Sequence, residues 1–166
     1  MILNTVVLWA HVFGAIGWLG AALVFAIVLG PALPRLSAQA RLEFLATVLP
    51  RYIRYIRMFA VVTVVFGVAT VLVIADGDYS VLSPSTPFGL YVSAGALLAL
   101  AVVGLAFGVI LPTASRIAGM SGALLKAPGP PPPELLAASE RLRKGSMAGL
   151  VLLMVVTVLM VASATL

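Results

Sequence analysis

The chain has 166 residues, of which 63% are hydrophobic and only 9% charged, against roughly 25% charged in soluble domains. So few charges cannot coat a water-soluble particle, which excludes a soluble globular enzyme. The absence of cysteine excludes disulfides, thiolate metal sites, iron–sulfur clusters and cysteine nucleophiles, and the net charge of +5 has meaning only through where the charges sit.

Four uncharged stretches are long enough to cross a bilayer, which takes about 20 apolar residues. They cover about 5–29, 58–75, 87–111 and 145–166, and none holds Asp, Glu, Lys or Arg. The backbone must satisfy its own polar groups in hydrocarbon, so each is predicted to be an α-helix. The runs are continuously apolar rather than alternating, which disfavours a β-barrel. The first is read as a true span and not a cleaved signal peptide, because no basic residue precedes it and the run is too long. The fold class is therefore an all-α membrane protein, a four-helix bundle forming a single transmembrane domain.

All ten basic residues lie in two segments, 30–57 and 112–144, while the loop 76–86 carries only Asp76 and Asp78. The positive-inside rule makes both basic segments cytoplasmic and both termini external, in a cell (inner or plasma) membrane. Within the first segment, Ser37–Leu49 reads as a short amphipathic helix. Pro50 is expected to separate it from Arg51-Tyr52-Ile53-Arg54-Tyr55-Ile56-Arg57, an interfacial anchor mixing basic and aromatic groups. Within the second, residues 128–133 read as a stiff polyproline spacer, and Glu134–Lys144 as a helix leading into the fourth span. Anionic lipid headgroups suit these basic clusters, and no nucleic acid is needed to explain them.

A weak repeat is visible. Pro31 and Arg35 at the end of span one match Pro112 and Arg116 at the end of span three, each followed by an aliphatic residue, at an offset of 81. Two tandem helical hairpins related by duplication explain it; so does the general frequency of Pro and Arg at membrane exits. Small residues mark helix contacts in lipid. Ala10, Gly14, Gly17 and Ala21 on span one, with Gly95, Ala99, Gly104 and Gly108 on span three, predict that these two spans form the centre and that spans two and four face lipid.

His11 is the one histidine, and it stands inside a span, where a costly polar group suggests function. It lies ~9 Å from the outer end at 1.5 Å per residue, in the same layer as Thr70, Ser93 and Met160. An imidazole and a thioether can serve as the axial pair of a haem iron or as ligands for copper(I). Trp18 and Phe25, near the His11 face, would then line a macrocycle. The plainer reading is a neutral His11 bonded to a backbone carbonyl, Thr70 or Ser93. Asp76-Gly77-Asp78 reads as a turn. No buried carboxylate completes a triad or a proton relay.

The run His11-Val12-Phe13-Gly14-Ala15-Ile16-Gly17-Trp18-Leu19-Gly20, leading to Pro31 and Arg35, resembles the first helix of CopD-like copper-resistance membrane proteins. The His11–Trp18 spacing also resembles that of HemJ-type protoporphyrinogen oxidases. Arg54–Gly67 and Arg141–Leu166 resemble the following and closing helices. The resemblance implies a four-helix unit that handles b-type haem or copper at His11, with Trp18 and Met160 beside it, for electron transfer or copper handling. The Lys expected in the HemJ-type third helix is absent from Gly89-Leu90-Tyr91-Val92-Ser93, and the acidic residue common in CopD-like closing helices is absent from span four. The alternative is a non-catalytic accessory subunit of a larger respiratory or transport complex, or a homo-oligomer. A small-solute channel ranks last, because no span offers a polar lining.

Overall fold

The computed structural model describes residues 2–165, and among these the regular structure is entirely helical. Helix α1 runs Ile2–Leu23, widens into a π turn at Val24–Leu29, returns to α-helix over α2, Gly30–Ala32, and ends in a 3-10 turn at Leu33–Arg35. Ser37 starts α3, Ala38–Ala75, by accepting the Ala40 N–H on its hydroxyl at 3.2 Å. This is an N-cap satisfying one of the four donors a helix start leaves unpaired. Asp76 stops α3 in the left-handed region (φ 43°), and Gly77 follows at φ 87°. The Asp76-Gly77-Asp78 run is therefore a turn. Asp78 accepts the Ser80 N–H at 2.9 Å, which starts the 3-10 turn Tyr79–Leu82; hydrogen bonding with the Ser80 side chain, and then with its N–H, holds the Asp78 carboxyl below its usual range.

Thr86 caps α4, Pro87–Leu105, with Pro87 in the first turn, where its missing N–H costs nothing. A second π turn, Ala106–Ile110, leads into α5, Leu111–Lys126. After the spacer, Pro132 keeps polyproline geometry (φ −65°, ψ 147°) and α6 covers Pro133–Ser163. Four stretches are long and apolar enough to cross a membrane: Asn4–Arg35, Ala38–Ala75, Pro87–Lys126 and Pro133–Ser163. The chain is a multi-pass membrane protein built as a four-helix bundle.

These helices exceed the uncharged runs. The expected break at Pro50 does not occur, because α3 continues through it. A proline removes one helical hydrogen bond, and packing of the surrounding turns on α5 and α6 holds the helix on course. Leu45, Leu49 and Ile53 of α3, Leu111, Ala114, Ile117 and Ala118 of α5, and Leu135, Ala138 and Leu142 of α6 are buried in one core. The basic segments thus fold into a helical extension of the bundle with its own apolar interior.

In the outer part the helices pair as hairpins, α1 chiefly on α3 and α4 chiefly on α6, while toward the basic end α5 packs chiefly on α3; α1 and α4 make little contact. The expected centre of spans one and three is therefore corrected. Gly14 and Gly17 of span one meet Thr63 and Phe59 of α3, and Gly95 meets Met160 of α6; Gly104 and Gly108 face open space. Small residues allow close approach but do not name the partner.

The repeat is structural as well as sequential. The Gly30 N–H bonds the Phe25 carbonyl in the first π turn, and the Leu111 N–H bonds the Ala106 carbonyl in the second, both at the offset of 81. Each precedes a proline, Pro31 or Pro112. A proline ring crowds the carbonyl four residues back, and a wider turn relieves that crowding. Gly14, Ala21 and Phe25 are buried, as are their counterparts Gly95, Val102 and Ala106.

A Cβ at Gly14 would lie 2.9 Å from the Thr63 backbone nitrogen, whereas one at Gly104 meets nothing within 4 Å. We expect Gly14→Ala to weaken the bundle by about 1–3 kcal/mol and Gly104→Ala to be neutral or stabilising by up to about 1 kcal/mol. Unfolding by titrated denaturing detergent, followed by circular dichroism, checks both.

Candidate functional site

His11 is half-buried on α1 and faces α3. Its Nδ1 lies 2.8 Å from the Thr63 carbonyl oxygen. A carbonyl only accepts, so Nδ1–H is the donor, and in the neutral ring Nε2 keeps its lone pair. The ring lies over Gly67, where a Cβ would come within 2.9 Å of Cε1 and Nδ1. Gly14, one turn along α1, makes room for Thr63 in the same way. A glycine on each helix thus brings the two backbones close enough for one imidazole to bridge them.

Trp18 sits elsewhere. It is 4% exposed, in a core with Ala60 of α3, Val102 of α4, Ala106 of the second π turn and Leu153 of α6. All four spans meet at this ring. Phe25 stacks on Tyr52, with centroids 5.2 Å apart, and the Tyr52 hydroxyl donates to the Ala21 carbonyl at 2.5 Å. The faces expected to line a macrocycle are filled by protein side chains. Below Trp18 lies an apolar cavity of about 50 Å³ between the hairpins, lined by residues including Phe25, Tyr52, Ala106, Ser146 and Leu150. It has room for about one or two water molecules.

Met160 packs in the second hairpin, its methyl in the notch of Gly95. Its expected partner, His11, lies over Gly67 in the first hairpin. Thr70 and Ser93, the other polar residues of that layer, bond the carbonyls of Phe66 and Leu82. Among the described residues no three His, Cys, Asp or Glu side chains cluster as metal ligands. The chain thus supplies one imidazole donor of suitable tautomer, while a macrocycle bed and a second ligand would come from outside this packing. Sequence reasoning did not identify Thr63 and Gly67 as the partners of His11. Their spacing of four places them on one face of α3, a signal that specifies a face but not an orientation.

The fold and this site define a four-helix membrane bundle of paired hairpins with a histidine bridge in the first. No family model, curated protein or solved structure matches the chain.

The Thr63 carbonyl already accepts its own helical N–H, so the histidine bond is an added contact worth about what interhelical bonds in membranes give, roughly 0.6–2 kcal/mol. His11→Leu is expected to lower unfolding free energy by about 1 kcal/mol. A loss three times larger would show that the ring does more than bridge the two helices.

Proposed function

We propose that this chain is a non-catalytic helical subunit of a membrane assembly, set in a cell membrane with its arginine-rich end in the cytoplasm. One observation carries the reading. His11, Thr63, Thr70, Ser93, Thr157 and Ser163, spread through the apolar layer, each give their polar group to a backbone carbonyl. His11 alone joins two spans in this way, while Thr63, Thr70, Thr157 and Ser163 bond back to their own helices and Ser93 to the turn before α4; polar groups tied up like this do not converge on a substrate. The outer surface supports the same reading. Each apolar window has only 11% to 22% of its residues buried. Gly104 and Gly108 lie open on α4 and the second π turn, a spacing that suits close approach of a further transmembrane helix. The distribution of arginines supports the orientation.

The tautomer of His11 favours a second reading. An Nδ1–H bonded to a carbonyl is the usual outer-shell arrangement of a metal-ligating histidine. Nε2 would be the donor to copper or to the iron of a b-type haem. With Met160 held at Gly95 and Trp18 buried in the central core, another ligand, such as His11 of a second copy, would come from outside this packing. Such a group would supply electron transfer or copper handling, as the CopD-like resemblance implies.

Purification in mild detergent with absorption spectroscopy and metal analysis separates the two. For the subunit reading we expect a stable membrane partner, retained in His11→Ala. A Soret band or stoichiometric copper, lost in His11→Ala, would replace that reading with the second.

A further inference from the structure

We propose that the groove between α3 and α5 at the basic end is a binding site for the phosphate headgroup of an anionic membrane phospholipid. The groove is an open depression of about 390 Å³, lined by Ala46, Pro50 and Ile53 of α3 and by Ser115, Ala118 and Gly119 of α5. The two helices run antiparallel there, and the Ala46 methyl lies 4.0 Å from a Cβ built at Gly122.

Two polar groups lie along the groove. Pro50 has no N–H, so the Ala46 carbonyl lacks its donor four residues on. The Ser115 hydroxyl is exposed and forms no side-chain hydrogen bond among the described residues. A carbonyl acceptor and a hydroxyl suit a hydroxylated headgroup such as glycerol.

The rim is cationic. Arg54 and Arg57 stand four residues beyond Pro50 and Ile53, which puts them on the same stripe of α3. Helical side chains lean toward the N-terminus, so both lean back over the groove. Arg116 follows Ser115 on α5. All three are exposed. Among the described residues, ion pairs form only between Glu140 and Arg143 or Lys144, so the rim arginines have no acidic partner.

Depth selects lipid over a soluble anion. Arg57 directly precedes the uncharged run beginning at Met58, and Arg116 lies five residues beyond the uncharged run that ends at Leu111. The rim therefore stands at the edge of the hydrocarbon layer, where phosphodiesters are densest. Tyr55, exposed on α3, adds an aromatic group of the kind found at that interface. Guanidinium groups match phosphate oxygens in pairs. The site does not rest on the function proposed above.

The test uses the full chain in neutral detergent, with native mass spectrometry and thermal stability read against added phosphatidylglycerol or phosphatidylcholine. We expect phosphatidylglycerol to be retained at least about tenfold more strongly. R54Q/R57Q should reduce that preference roughly tenfold. R35Q/K126Q removes the same charge elsewhere at this end and should leave it intact. Ser115→Leu fills the groove without changing charge and should lower the preference. Inorganic phosphate at equal concentration should not reproduce the stabilisation. Equal retention of the two lipids by the native chain would overturn the site. So would a preference unchanged in R54Q/R57Q or Ser115→Leu, an equal loss in R35Q/K126Q, or full replacement by inorganic phosphate.

Discussion

The close approach of α1 to α3 at Gly14 and Gly67 is the contact from which the rest of the first hairpin follows. Lipid tails are as apolar as leucine, so the solvent does not push these helices together. Dispersion and hydrogen bonding must hold them, and both fall steeply with distance. Without side chains at these two positions, the Thr63 backbone can press against α1 and the His11 ring can lie flat on α3. One hydrogen bond then settles the tautomer and orientation of the chain's single histidine. The same geometry allows either a purely structural bridge or a metal donor on the opposite nitrogen.

The second hairpin repeats this arrangement with different chemistry. Gly95 stands at the offset position of Gly14, and it receives a methionine methyl in place of a threonine backbone. The π turns at Val24–Leu29 and Ala106–Ile110 carry equivalent bonds. Where the hairpins meet, Trp18 has no equally large counterpart, since the offset position is Ala99. Trp18 shares its core with Val102 and Ala106 of the second repeat, so a near-symmetric frame acquires one asymmetric centre. Toward the basic end the bundle changes character. The buried leucines of α3 and α6 extend the interior beyond the uncharged runs, and the arginines move to the outside.

The architecture was legible because bilayer thickness and backbone hydrogen bonding leave few choices. An uncharged run such as 87–111 has to be a helix, and ten basic residues confined to two segments define one end of the bundle. The pairing was less legible. The stripe at Gly14 and Gly17 announces a tight contact, but small residues carry no address, and the partner proved to be α3. Gly104 and Gly108 give the same signal and face outward. Pro50 looked like a boundary because proline breaks isolated helices; tertiary packing overrode it. For the site, depth arithmetic placed His11, Thr70, Ser93 and Met160 in one layer. It could not give the azimuth that sends His11 toward Thr63 and Met160 toward Gly95. Trp18 stood out by spacing, and its role as the meeting point of four helices is a property of the packed bundle.

The bridge from His11 to the Thr63 carbonyl can be observed directly. Nitrogen-15 magnetic resonance of the single imidazole, in the full chain reconstituted into lipid, reports which ring nitrogen carries the proton. Coupling of that proton to a Thr63 labelled at the carbonyl carbon reports its partner. The expected result is a protonated Nδ1 in contact with Thr63. A ring protonated at Nε2, or one with no Thr63 coupling, would contradict the hairpin geometry from which this account begins.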